Sequence, residues 1–140
     1  MAKTIDQEKI NELLTRGVEN IYPTAKFLES ALQSGRRLTL YTGYDPTAPT
    51  LHIGHGITLL KLRQFQDLGH KVIMLIGDFT GMIGDPTDKT TARQKLTHEQ
   101  ALENCKLYQA QAATILDFKG ENPVELKFNS EWHNKLSFAE

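Results

Sequence analysis

The apolar positions divide the chain into short segments of differing period. Thr4 and Gln7 form a capping-box pattern, after which Ile10, Leu13 and Leu14 fall on one helical face until Gly17 breaks the run. A short first helix is predicted. Pro23 opens a second, with Phe27, Leu28, Ala31 and Leu32 as its buried stripe and Gly35 as a left-handed stop. Arg37 to Gly43 reads as a strand, since Leu38, Leu40 and the β-favouring Thr39 and Tyr41 follow a polar stretch. Tyr44-Asp45-Pro46-Thr47-Ala48-Pro49-Thr50 reads as a loop, because its two prolines forbid regular pairing. Between Ile53 and Leu68, the residues Ile57, Leu59, Leu60, Leu62, Phe65 and Leu68 recur at three- and four-residue steps before Gly69. That pattern predicts a helix with a broad buried face. Val72-Ile73-Met74-Leu75-Ile76 is a continuous apolar run, as in a parallel strand buried on both faces.

A glycine-rich loop from Gly77 to Asp85 and a charged stretch come next, then a long helix opened by the Thr97/Gln100 capping pair, then a third strand over Val124 to Phe128. Alternation of strand and helix predicts an α/β fold: a Rossmann-like, doubly wound parallel sheet, incomplete here and preceded by two short N-terminal helices. The expected division is a helical segment over 1–36 and a sheet-bearing domain over 37–140. Leu136 to Glu140 reads as the start of a further helix without a closing cap, so the sequence is expected to be part of a longer protein.

Sixteen Lys and Arg against seventeen Asp and Glu give a net charge of −1, which excludes bulk attraction of the whole chain to nucleic acid or an anionic membrane. Any nucleic-acid contact must then be local. Cys105 has no internal disulfide partner and reads as a half-buried helix residue. The first residues lack a signal-peptide core and no run reaches membrane-spanning length, so a cytoplasmic, unanchored protein is expected.

The two chemically informative loops, Tyr41 to His55 and Gly77 to Arg93, follow the C-terminal ends of predicted strands and should meet at one crevice. His52-Ile53-Gly54-His55 stands where a helix begins, so backbone N–H groups, the positive end of the helix dipole and two imidazoles face one place. That is an anion site. Gly54 would let a base or ribose approach the backbone. The two histidines lack a convincing third metal ligand, and neither GxGxxG nor GxxxxGK[ST] occurs, so no protein-bound metal is expected and phosphates must be held by another scheme.

Leu40 to His55, reading LYTGYDPTAPTLHIGH, resembles the first signature of class I aminoacyl-tRNA synthetases in its tyrosyl form. Gly81-Met82-Ile83-Gly84-Asp85-Pro86 resembles the second tyrosyl block, and Asn129-Ser130-Glu131-Trp132 a third. The resemblance implies that 37–140 is the first part of the nucleotide-binding catalytic domain. It also implies that tyrosine is activated with ATP, accompanied by Mg2+, and then passed to tRNA(Tyr), with the full-length protein a homodimer. Thr47, His52 and His55 match catalytic positions. Thr42, Gly43, Asp45, Gly54 and Thr58 match positions near ATP, and Lys89 and Arg93 match mobile contacts to phosphate or the tRNA end. Tyr41, Leu75, Thr80 and Asp85 match the tyrosine slot, with Tyr41 at the substrate hydroxyl and Asp85 at its ammonium group. Gly56 and Thr90 depart from the commoner pattern, and the family's lysine-rich KMSKS signature is absent. Two rival readings are a small adenylyltransferase with an HxGH element and a non-catalytic RNA-binding relative.

Overall fold

The computed structural model describes residues 6–83 and 96–137. Two N-terminal helices, α1 (Gln7–Thr15) and α2 (Ala25–Gln33), precede strand β1 (Thr39–Tyr44). Helix α3 (Ile53–Asp67) leads to β2 (Lys71–Ile76), which is followed by the single turn α4 (Thr80–Ile83). Helices α5 (His98–Cys105) and α6 (Tyr108–Ala112), strand β3 (Glu125–Phe128) and the short α7 (Ser130–His133) complete the described elements. The strands form one parallel sheet in the order β1-β2-β3, with Tyr44 opposite Ile76 and Ile76 opposite Phe128.

Local signals account for most boundaries. Asp6 caps α1 by accepting from Lys9 N–H, while Thr4 lies outside the described residues. Thr24 caps α2, and Thr97 and Gln100 form the expected capping box on α5. Gly17, Gly35 and Gly69 follow α1, α2 and α3 with φ of 65°, 73° and 85°, the left-handed conformation that ends a helix at little cost only in glycine.

One core joins the helices to one face of the sheet. Ile10 and Leu13 of α1, Leu32 of α2, Leu59, Leu62 and Phe65 of α3, and Tyr108 and Ala112 of α6 pack with Tyr44, Val72, Met74 and Ile76. The residues before 37 are thus built into the same core as the sheet. Right-handed crossovers explain its one-sidedness: strands added in one direction carry their connecting helices to the same face. In a doubly wound sheet helices reach the opposite face only where strand order reverses, and the order β1-β2-β3 contains no reversal. The described elements therefore constitute one wing of a doubly wound sheet.

Several positions differ from the sequence expectation for this reason. Val72, Met74 and Ile76 are buried, but Lys71, Ile73 and Leu75, which face the other way, are only half-buried. Ile57 and Leu60 are exposed, because at about 100° per residue they turn away from the Leu59, Leu62 and Gln66 face. Phe27 likewise lies outside the buried stripe of α2. The long helix after Thr97 is broken at Lys106, whose N–H bonds three residues back to Glu103 O rather than four. Leu136 and Ser137 are not helical, and 138–140 lie outside the described residues.

A polar seam fixes the third strand. Gln66, buried on α3, donates to Asp117 O at 2.6 Å and Asn122 O at 2.8 Å and accepts from Asp117 N–H at 3.0 Å. Asn122 returns two bonds, to Gln66 O and His70 O. This holds the α6–β3 connection against the end of α3 and so brings the C-terminal ends of all three strands to one edge.

Candidate active site

At that edge β1 ends in Tyr44, β2 in Ile76 and β3 in Phe128, and the chain leaves each through a polar loop. The two loops expected to meet do so in their described parts. Thr80 Oγ1 donates to Asp45 Oδ1 at 2.7 Å, and Asn129 Nδ2 donates to Thr80 Oγ1 at 2.9 Å. Asn129 is itself buried and accepts from Phe79 N–H through its Oδ1. One hydrogen-bonded chain therefore links the exits of β1, β2 and β3. Gly77 is needed beneath it, since a Cβ there would overlap Asp45 Oδ1 and come within 2.5 Å of Thr80 Oγ1.

The first turn of α3 carries the two histidines. His52 is the N-cap, and its Nδ1 accepts from Gly54 N–H at 3.1 Å. His55 Nδ1 accepts from His52 N–H at 3.1 Å, so the pair forms a capping box made entirely of imidazoles. The rings stack with centroids 3.8 Å apart. An Nδ1 that accepts a hydrogen bond leaves the proton of the neutral ring on Nε2, so each imidazole presents an Nε2–H donor. Burial, and then the neighbouring His52, hold the His55 pKa below its usual 6.5, which favours that neutral form. The first turn contains no acidic residue. Two imidazole donors thus stand stacked at the positive end of a fifteen-residue helix, an arrangement suited to an anion.

Gly54 belongs to this arrangement in an unexpected way. A Cβ there would lie 2.9 Å from His52 Cε1, so its missing side chain makes room for the His52 ring. Beneath the pair, buried Tyr44 meets the His55 ring edge-on at 5.6 Å, and its hydroxyl lies 2.9 Å from Thr58 Oγ1. Thr58 Oγ1 also donates to His55 O. Thr58 therefore braces the site from below. Tyr44, expected from its neighbouring prolines to open the loop, is instead the last residue of β1.

Strand alternation sorts the remaining positions between two faces. Tyr41 and Gly43 lie on the open face, registered with Ile73 and Leu75. Tyr41 is 70% exposed there, Leu75 is half-buried, and a Cβ on Gly43 would meet no described residue within 4 Å. Thr42 turns to the opposite, helix-covered face, registered with buried Met74, and so does not join Tyr41 and Gly43. Thr47 is exposed in the loop, with its N–H bonded to Asp45 O at 2.8 Å. Asp85, Lys89 and Arg93 lie outside the described residues. Trp132 is partly exposed and packs at a tilt beside His133. Among the described residues no group of three or more His, Cys, Asp or Glu is arranged to hold a metal ion, and no helix is long and apolar enough to cross a membrane.

Residues 33–140 match the family model of the class I tRNA synthetases for tryptophan and tyrosine. The chain belongs to that family. Among curated proteins it is 51% identical over 125 residues to a tyrosine–tRNA ligase of Xylella fastidiosa, covering 89% of this chain and 29% of that protein. It is 49% identical over 138 residues to the tyrosine–tRNA ligase of Idiomarina loihiensis, covering 99% and 33%. The chain thus spans about a third of the length of these relatives. Among solved structures, a C-terminally truncated mitochondrial tyrosyl-tRNA synthetase of Aspergillus nidulans shares the fold with a TM-score of 0.76, over 94% of this chain and 40% of that one, at 24% identity. Family membership accounts for the arrangement of the sheet, which is that of the Rossmann-like class I catalytic domain.

Proposed function

We propose that this chain is the ATP-facing half of the amino-acid activation site of a cytoplasmic tyrosine–tRNA ligase. The observation that carries the reading is the stacked His52–His55 pair at the start of α3, with both Nδ1 atoms engaged by backbone and both Nε2–H groups free to donate. Beside it, the open face around Tyr41, Gly43 and Leu75 offers a slot of aromatic and aliphatic character.

In the proposed reaction a carboxylate oxygen of tyrosine attacks the α-phosphorus of ATP in line, the bond from that phosphorus to the bridging oxygen breaks, and pyrophosphate leaves. No covalent enzyme intermediate is needed. Mg2+ accompanying ATP would supply charge shielding to its phosphates. Negative charge grows on the departing pyrophosphate, and donors fixed beforehand stabilise it without having to reorganise. His52 and Thr47 take that role, with Gly54 making room for the His52 ring. His55 lies toward the ribose above Thr58, and Asp45 and Gly43 line the nucleotide side, with Thr42 behind them on the helix-covered face. Tyr41, Leu75 and Thr80 form the tyrosine slot, with Asp85 meeting the substrate ammonium. Lys89 and Arg93 contact phosphate or the tRNA end. The longer protein would be a homodimer that transfers the tyrosyl group to tRNA(Tyr).

The test is tyrosine-dependent exchange of pyrophosphate into ATP by the full-length protein that carries this chain, with tryptophan and phenylalanine as controls. Exchange with tyrosine alone, reduced about a hundredfold or more by His52→Ala, is expected. Exchange with tryptophan instead would move the assignment to the other branch of the family. No exchange with any amino acid would refute the reading.

A further inference from the structure

The loop between β1 and α3 is the least regular part of the site and yet carries Thr47 and leads into His52. Two of its residues, Pro46 and Pro49, have no N–H to donate, and only the Thr47 N–H bond to Asp45 O ties its backbone internally. Its order comes from elsewhere. Asn104 Nδ2 donates to Pro46 O at 2.9 Å, and the Tyr108 hydroxyl donates to Ala48 O at 2.6 Å. Gln111 binds twice: its Nε2 donates to Pro49 O at 3.1 Å and its Oε1 accepts from Leu51 N–H at 2.8 Å.

These three residues are spaced by four and then three, which puts them on one helical face. The face survives the break between α5 and α6, because Lys106 and Leu107 keep right-handed helical dihedrals, φ/ψ −50°/−38° and −92°/−6°. The support is rigid: Tyr108 is 1% exposed, Ala112 is fully buried one turn later, and Pro46 is buried against the site. Burial also raises the Tyr108 pKa, so the phenol keeps its proton and remains a donor.

We propose that Asn104, Tyr108 and Gln111 are positioning residues that clamp the Asp45–Leu51 loop from beneath, fixing Thr47 and the entry into His52 for the leaving phosphates. Gln111 is the most direct of the three, since Leu51 immediately precedes the N-cap His52. The catalytic consequence rests on the activation chemistry proposed above. The clamp itself does not.

The experiment uses the full-length protein with Tyr108→Phe, Gln111→Leu and their combination, and with Gln109→Ala, on an exposed position of the same helix, as control. Tyrosine-dependent pyrophosphate exchange, tyrosine KM, thermal midpoint and amide hydrogen exchange over 47–51 are measured together. In the double variant the exchange kcat is expected to fall about ten- to a hundredfold with tyrosine KM within about twofold, because displacement of a supporting group harms the oriented transition state more than ground-state binding. Amides of the loop should exchange faster, while Gln109→Ala leaves every readout unchanged. Unchanged kcat and unchanged loop protection would overturn the proposal. A fall in kcat accompanied by an equal rise in tyrosine KM and a collapsed thermal midpoint would also overturn it, since that is general loss of structure. If the unmodified protein exchanges with no amino acid, the ligase reading and the clamp's catalytic role fail together, and loop protection still decides whether the clamp exists.

Discussion

Substituting Gly77 by alanine tests whether the polar chain across the strand ends serves function or stability. The Gly77 backbone has no positive φ, so alanine is conformationally allowed and the perturbation is steric. Its Cβ would overlap Asp45 Oδ1 and lie 2.5 Å from Thr80 Oγ1. Non-bonded atoms need more than about 3 Å, so the Asp45 carboxylate must retreat by roughly an ångström or more. That breaks the 2.7 Å bond from Thr80 and cuts the chain to Asn129. A hydrogen bond to a charged group contributes about 1.5–3 kcal/mol, but Asp45 is exposed and its carboxylate regains water when it swings out. The net cost in folding should therefore be about 1 kcal/mol or less. Function should suffer more, because an ångström of displacement at an oriented site costs on the order of a hundredfold in rate. Pyrophosphate exchange and thermal unfolding, measured on the same full-length preparation, separate the two effects. Exchange within about twofold of the unmodified protein would refute the placement of Asp45 and Thr80 in the reacting geometry.

Two other perturbations address the scaffold and the protonation of the site. Gln66→Leu removes three hydrogen bonds and strands Asp117 N–H and Asn122 O in a partly buried seam, while Asp117 O keeps its bond from Val124 N–H, so urea unfolding should show a loss of about 2–4 kcal/mol; a loss below about 1 kcal/mol would mean that the seam is not what holds β3. The His55 pKa is depressed in the folded state below 6.5, so the unfolded chain binds more protons between the two values; its contribution to stability is full above about 6.5 and is lost as pH falls through the folded value. Protonation would also place a hydrogen on Nδ1, where the His52 N–H now donates. An NMR titration of the His55 ring is expected to give a midpoint below 6.5, and one above it would contradict the assigned acceptor role.

Much of the fold was legible because its signals are local. The Thr97/Gln100 box, the glycine stops at 17, 35 and 69 and the apolar run of β2 each act within a few residues, and each lies where the sequence puts it. The crevice was legible for the same reason: parallel strands joined by right-handed crossovers leave their loops at one edge whatever their detailed packing. His52 and His55 could be singled out from their place at a helix start, whereas the sorting of Thr42 away from Tyr41 and Gly43 follows from pleat alternation only once the strand register is known.

By itself the sequence determined where most helices and strands form, which loops carry polar chemistry and that the ends of these strands gather it. Tertiary structure alone decided which side of α3 is buried, which face of the sheet is open, and which side chains hold the β1–α3 loop. Asn104, Tyr108 and Gln111 meet backbone groups 58 to 62 residues away. No periodicity or motif encodes such a meeting, because its partners are carbonyls and an N–H that every sequence possesses. It comes into being only when the core turns one helical face toward one loop.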